Sequence, residues 1–436
     1  MTAISSAARA QAQDLLDFID ASPSPWHAVA TCEARLKAAG FYRLDEVDRW
    51  TLKPGNRCYV VRGGSSIVAF TLGSQPLPES GMTLIGAHTD SPGLRIKPRP
   101  AEDHGGMCRL GVEVYGGPLL ATFADRDLGL AGRVHLKAGR THESRLVHFA
   151  EPLIRLPNLA IHMNREVNEK GLKFNKQTEL PLLLGTSDAA LPADDRFRQL
   201  LAERLAVNAD DLLTWELAAC DTQKGSFWGV DREFFANSQL DNLASCHAGL
   251  SALIAAGETT QTCVLALFDH EEVGSESAVG AGGSLLGDLL QRIAGACGLD
   301  AEDQRRMLAR SFFISADMAH AWHPNFPAAY EPCHKVMINA GPVIKHNANQ
   351  RYSTDGASAA RFMAICEKAG VPCQQYAHRT DLGCGSTIGP ILAARLGIAS
   401  VDVGSPMWAM HSVRESAGVI DHAAMIAALT TAFTQQ

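Results

Sequence analysis

Residues 262–276 read TCVLALFDHEEVGSE. The apolar run is short, and it breaks off sharply into acidic and imidazole side chains. That is the form of a parallel strand buried on both faces. Polar groups just past such a strand gather at the carboxyl edge of a sheet, where open α/β folds keep their sites. TLIGAHTD at 83–90 has the same form, an apolar run ending in His88 and Asp90. Beyond residue 240 the pattern alternates: a helix over 242–256, strand 263–269, helix 285–298, strand 311–318, helix 357–370 and strand 398–404. Such alternation predicts an α/β fold with a three-layer α/β/α catalytic domain.

Working towards the N-terminus, a helix is expected over 8–20. A second starts at SPSPW, with Ser24 as cap and Pro25 at the first helical position, and stops at Gly40. Strands follow at 58–63, 66–72 and 83–88. After His88 the texture changes. PGLRIKPRP (92–100) cannot continue a buried parallel strand, and short strands such as LGVEVYG (110–116) and GRVHLKAG (132–139) are spaced by glycines. A helix over 194–206 and a strand over 212–222 complete this part. The expected organisation is a catalytic domain in two parts, 1–92 and 236–436, split by an inserted, mostly β domain over 93–235.

The chain has 436 residues, so two domains are the prior. With 46% hydrophobic and 20% charged residues it is an ordinary globular protein. A net charge of −8 leaves no electrostatic footprint for nucleic acid. Eleven Cys, an odd number without scaffold spacing, fit reduced thiols in a cytoplasmic protein. The N-terminal 20 residues lack a signal-peptide core, and no stretch has the length of a membrane span. GGPLL and GAGGSLLG are read as turns, since neither is a G-x-G-x-x-G after a strand or a P-loop with its Lys.

Five residues in five such phrases are the expected metal ligands: His88, Asp241 in SQLDN, Glu272, Asp317 in FISADMAHAWHPN, and His411 in MWAMHSVRE. Imidazole nitrogen and carboxylate oxygen suit zinc, and a catalytic site leaves a position for water. Two ions about 3.5–4 Å apart need one bridging carboxylate and further ligands on each ion. The set is expected to divide into Asp241 as bridge, His88 with Asp317 on one ion, and Glu272 with His411 on the other. Glu271 is then free to act as general base. Asp90 is placed to orient the His88 ring. His320 and His323 are expected to line the pocket or hold its loop, His320 nearer the chemistry. The ligand types accept Zn²⁺, Mn²⁺ or Co²⁺. Spacing alone leaves an aminopeptidase, a carboxypeptidase and a small-molecule deacylase all open, and a catalytically silent scaffold is disfavoured because Glu271 is intact.

The phrases SPSPWHAV, AHTDSPGLR, DRDLGLAGRV, LAIHMNR, SQLDN, DHEEVGS, ADMAHAWHPN, GPVIKHNANQRYSTD, CGSTIGPI and MHSVRE run from Ser22 to Glu415. In these the chain resembles the aspartyl aminopeptidases, co-catalytic zinc exopeptidases, over nearly its whole length. Phe123 and Ala124 depart from the bulkier aromatics of that pattern. The resemblance selects an aminopeptidase with two Zn²⁺ per subunit. Water activated at the ions attacks, Glu271 serves as general base and acid, and an acidic first residue of a short peptide is preferred. It also implies Lys345 as the cation of the specificity pocket with Tyr352 as hydrogen-bond donor, and His162 as a residue reaching the active site of a neighbouring subunit. The inserted domain would then mediate dimerisation, and dimers would build a homododecamer. The glycine-rich run at 383–390 offers backbone N–H groups suited to an anion, but tight packing of a turn is the simpler expectation, and Cys384 within it lacks any thiol-protease context.

Overall fold

The computed structural model describes residues 4–435, so the first three residues of the N-terminal stretch read above lie outside the described residues. The chain forms two compact units. One comprises the chain up to Asp90, Gly225–Met410 and the chain from Glu415. The other comprises Ser91–Lys224 and His411–Arg414.

The first unit is built on a nine-stranded mixed sheet. Its order is Tyr42–Arg43, Arg57–Arg62, Ser66–Thr71, Thr262–Phe268, Met82–His88, Phe312–Ala316, Ala399–Gly404, Val343–His346, Gln374–Ala377. Four central strands are parallel: 262–268 beside 82–88, then 312–316, then 399–404. Their side chains alternate between two cores. Ile85, Leu265 and Ile314 face a core shared with the helices Ser6–Asp20, Pro25–Ala38, Leu240–Ala256, Gly356–Ala369 and Val419–Thr434. Leu84, Val264 and Phe313 face one shared with Leu285–Ala296, Ala301–Arg310 and Ile388–Leu396. These are the three layers. Both faces being covered, the strands 82–88, 262–268 and 312–316 are buried at every position. The helix at Pro25 starts as expected, with the Ser24 hydroxyl accepting from His27 N at 3.4 Å.

The inserted unit holds a six-stranded antiparallel sheet in the order Thr141–Ile154, Leu128–Ala138, Leu212–Asp221, Gly93–His104, Met107–Tyr115, Leu182–Thr186. Its core includes Phe197 and Leu201 of the helix Ala193–Leu205, with Phe197 edge-on to Trp215 at 5.4 Å. The PGLRIKPRP stretch, which sequence reading left without an element, is part of the strand Gly93–His104. Its pairing with 107–115 shifts register between Ile96 and Ala101, where Pro98 and Pro100 cannot donate to a ladder. The hairpin Ser226–Trp228 and Phe234–Asn237 belongs to the first unit, not to the insertion as the expected boundary at 235 had it, because Phe234–Asn237 pairs with Glu415–Gly418.

A candidate metal centre at the carboxyl edge of the sheet

His88 is the last residue of the strand Met82–His88, and Glu271 and Glu272 follow the adjacent parallel strand Thr262–Phe268, so the sheet's pairing sets them side by side. Asp317 comes directly after Phe312–Ala316 on the other flank of 82–88. Its backbone N–H bonds Val403 O at 2.9 Å, and a Cβ at Gly404 would lie 1.9 Å from Asp317 O, so only glycine fits beside Asp317. Asp241 opens the helix Leu240–Ala256 in non-helical backbone, and its N–H donates to the buried Glu415 carboxylate at 3.0 Å. Non-glycine residues with positive φ precede two of these positions, Gln239 at 57° and His270 at 64°. Strain of this kind persists where the surroundings over-determine it, commonly at sites.

Ligand-type atoms of His88, Glu271 and Asp317 lie within 4.8 Å of one another, and so do those of His88, Asp241 and Glu272. His88 Nε2 is 3.5 Å from Asp241 Oδ1, 3.6 Å from Asp317 Oδ1 and 3.9 Å from Glu271 Oε2. Four carboxylates therefore surround one imidazole, and Glu271, though slightly farther from the ring than Asp241 and Asp317, is one of them.

The electrostatics show how strongly these groups act on one another. Burial works against a charge on His88, yet the Glu271 carboxylate and the hydrogen-bonding Asp241, Asp317 and Asp90 hold its pKa well above the ordinary imidazole value. Burial, together with Asp317, Glu272 and Asp241, pushes Glu271 up to about 8, against the opposing pull of His88. Anionic oxygen in this density, with a single imidazole among it, is a donor set for small divalent cations, and the N/O mixture suits zinc. The residues fit the group.

Asp90 does more than the ring-orienting role expected of it. The His88 Nδ1 lies 3.0 Å from Asp90 O and 3.4 Å from its Oδ1, while the two carboxylate oxygens accept the backbone N–H groups of Glu271 and Glu272 at 3.2 and 3.1 Å. One side chain thus fixes three site residues, which its spacing from His88 did not reveal. Glu415 was missed altogether. The only signal was its place at the end of the MHSVRE phrase.

Lys345, 2% exposed, sits with Nζ 3.3 Å from Asp317 Oδ2, 3.2 Å from Met318 O and 5.0 Å over the Tyr352 ring. The His320 ring is 6.0 Å from that of Tyr376, and burial, then Lys345 and His378, hold its pKa down to about 4. His323 stacks edge-on against Phe326 at 4.9 Å. In the inserted unit His162 is exposed between Ile161 and Met163. His411 also belongs to that unit, where its φ is 69° and its Nδ1 is 3.0 Å from Gly117 O; it is not among the clustered ligand groups.

Comparison with known proteins places this geometry. The family described as Aminopeptidase I zinc metalloprotease (M18) matches residues 18–433. A probable M18 family aminopeptidase 2 from Azotobacter vinelandii is 47% identical over 428 residues, covering 97% of each chain. Among solved structures, one described as the Ape4 and Nbr1 complex is similar with a TM-score of 0.94 and 37% identity, over 99% of this chain and 87% of that one. The S. cerevesiae mApe1 dodecamer gives a TM-score of 0.84 at 27% identity, over 96% and 95%. Two apolar strand ends, an imidazole ringed by carboxylates and a match running nearly end to end converge on one conclusion: the chain belongs to the M18 family of zinc aminopeptidases, hydrolases that remove the N-terminal residue of a peptide.

Proposed function

We propose that this aminopeptidase works through two zinc ions per chain and prefers Asp or Glu as the residue it removes from short peptides. The observation that carries the reading is the charge around His88, where ligand-type oxygens of four carboxylates lie within 4.8 Å of a nitrogen of one ring. In this reading His88, Asp241, Glu272 and Asp317 hold the metal, and His411 is carried as the fifth ligand on the strength of its phrase in the sequence. Zinc there supplies a Lewis-acidic pull on the scissile carbonyl and makes water a better acid.

The remaining work falls to the chain. Glu271 takes a proton from the attacking water and returns it to the leaving amine, so it must stay free of the metal although its carboxylate lies in the same cluster. Asp90 keeps the His88 ring and the 271–272 backbone in register with each other. Lys345 offers a buried positive charge beside Asp317, and Tyr352 beneath it a phenol; together they suit the carboxylate of an acidic first residue. His320 walls the same pocket. A Lys is a point charge and not a bidentate fork, so other first residues should be cleaved slowly and not refused.

Self-association is part of the proposal. The dodecamer of the S. cerevesiae relative supports a homo-oligomer, and our reading builds it from dimers joined through the inserted unit. In it His162, exposed in this chain, would serve the site of a neighbouring subunit. None of the described helices is long and apolar enough to cross a membrane. The free thiols of the eleven Cys fit a reducing compartment, and on that ground we place the enzyme in the cytoplasm.

A substrate panel tests this. Amides of Asp and Glu with a free amine should be cleaved faster than those of Ala or Leu, and N-acylated versions should be inert. Activity confined to the acylated substrates would replace the reading with a deacylase.

A further inference from the structure

Beside Lys345 lies a second polar group that the reading above does not use. Lys345 and Tyr376 are partners in register across the parallel strands Val343–His346 and Gln374–Ala377. Tyr376 is buried, and its hydroxyl lies 2.5 Å from Nδ1 of His378. The His378 ring is 6.4 Å from that of His320, which in turn is 6.0 Å from Tyr376. Lys345 Nζ lies 5.0 Å over the Tyr352 ring, and Tyr352 and Tyr376 share an apolar cluster with Ala319, two residues after Asp317.

The Tyr376–His378 bond has a consequence for the other ring nitrogen. Burial, followed by the neighbouring Cys384 and Tyr330, raises the Tyr376 phenol, so it keeps its proton and has that proton to donate. The bond to Nδ1 can run either way, but when the phenol donates, Nδ1 accepts, and a neutral imidazole accepting at one nitrogen carries its hydrogen on the other. In that tautomer Nε2 is a donor. It is buried and has no hydrogen-bond partner among the described residues. A buried donor without an acceptor costs stability that a ligand oxygen would restore.

Resting on the reading that Lys345 marks the specificity pocket, we infer that His378 is a specificity-determining residue whose Nε2–H donates to the side-chain carboxylate of the substrate's first residue. Lys345 supplies charge and His378 supplies direction, a pairing that a lone ammonium does not provide. Tyr376 is the positioning residue that holds the donor tautomer.

The test uses the full-length metal-loaded enzyme and the amides of Glu, Asp and Ala. His378→Phe keeps a ring but has no donor. Its kcat/KM should fall about tenfold or more on the acidic substrates, as for loss of a hydrogen bond to a charged group, with the Ala substrate unaffected. His378→Asn restores an N–H and should recover part of the loss. Tyr376→Phe should give a smaller loss carried in KM. As a binding readout, inhibition by free L-aspartate should weaken in His378→Phe while inhibition by L-alanine does not. An equal fall on all three substrates, with a lowered melting temperature, would overturn the assignment in favour of a structural role. Undiminished acidic preference in His378→Phe would overturn His378 alone. A wild-type enzyme with no acidic preference would sink the pocket reading itself and this assignment with it.

Discussion

Two buried polar clusters, both centred on histidine and both anchored on the helix Leu240–Ala256, differ in how their charge is balanced. At its start, Asp241 joins the ring of carboxylates around His88. Two turns on, His247 bonds the Asp14 carboxylate through Nε2 at 2.8 Å and His422 Nε2 through Nδ1 at 2.9 Å, and Arg35 closes on Asp14 at 2.8 Å. In the second cluster every named donor meets an acceptor and the one carboxylate has its cation. Burial lowers the pKa of both rings, so the cluster rests with neutral imidazoles and ties together the helices Ser6–Asp20, Leu240–Ala256 and Val419–Thr434. In the first cluster the anions outnumber the cations. The difference teaches that a buried histidine among acids is structural when the local charge closes and functional when it does not.

Mutation should separate the two. Glu271→Gln is expected to lower kcat by about 10²- to 10⁴-fold, the usual worth of a general base, with zinc content retained. A rate within a few-fold of wild type would remove Glu271 from the chemistry. The corresponding change in the closed cluster, His247→Leu, leaves a buried His422 nitrogen without its partner. It should cost about 1–3 kcal/mol in unfolding free energy, read by urea denaturation, and leave kcat/KM of the folded protein alone. If His247→Leu instead abolished zinc binding, the two clusters would be one system.

Metal should act on one cluster only. Zinc at 100 times its Kd ought to stabilise the stripped protein by about 2.7 kcal/mol per site, visible as a raised melting temperature. The gain should disappear in Asp241→Asn and persist in His247→Leu.

Much of the first cluster was legible in the chain. His88 ends one apolar run and Glu271 and Glu272 come just past another, and a buried parallel strand delivers whatever follows it to one edge of the sheet. What the residues did not disclose comes from tertiary pairing. The strands Val343–His346 and Gln374–Ala377 are four residues each, too short to carry a period, so the pairing of Lys345 with Tyr376 and the role of His378 appear only once the register is known. Pro98 and Pro100 concealed the long strand 93–104, because a register shift at the prolines is invisible in sequence. Asp90 was placed beside His88 by spacing, but its grip on the 271–272 backbone depends on adjacent strands. The closed cluster gave no signal at all. His247 and Asp14 are 233 residues apart.

The smallest expected effect is on acid stability. Each ring of the closed cluster has a folded-state pKa below the ordinary 6.5. The unfolded chain therefore binds more protons than the folded one once pH drops below 6.5, and stability present above that pH is lost as pH falls. His422→Leu should flatten this part of the melting-temperature profile between pH 7.5 and 5.5, and an unchanged slope would show that the His422 ring is not held neutral.

The account turns on whether the unbalanced cluster is completed by metal, and equilibrium titration of zinc into chelator-stripped protein measures that directly. The result it predicts is two zinc ions bound per wild-type chain, with binding weakened by at least about tenfold in both His88→Ala and Asp241→Asn, as loss of one ligand implies. Wild-type protein that binds no zinc, or variants that bind it as the wild type does, would contradict it.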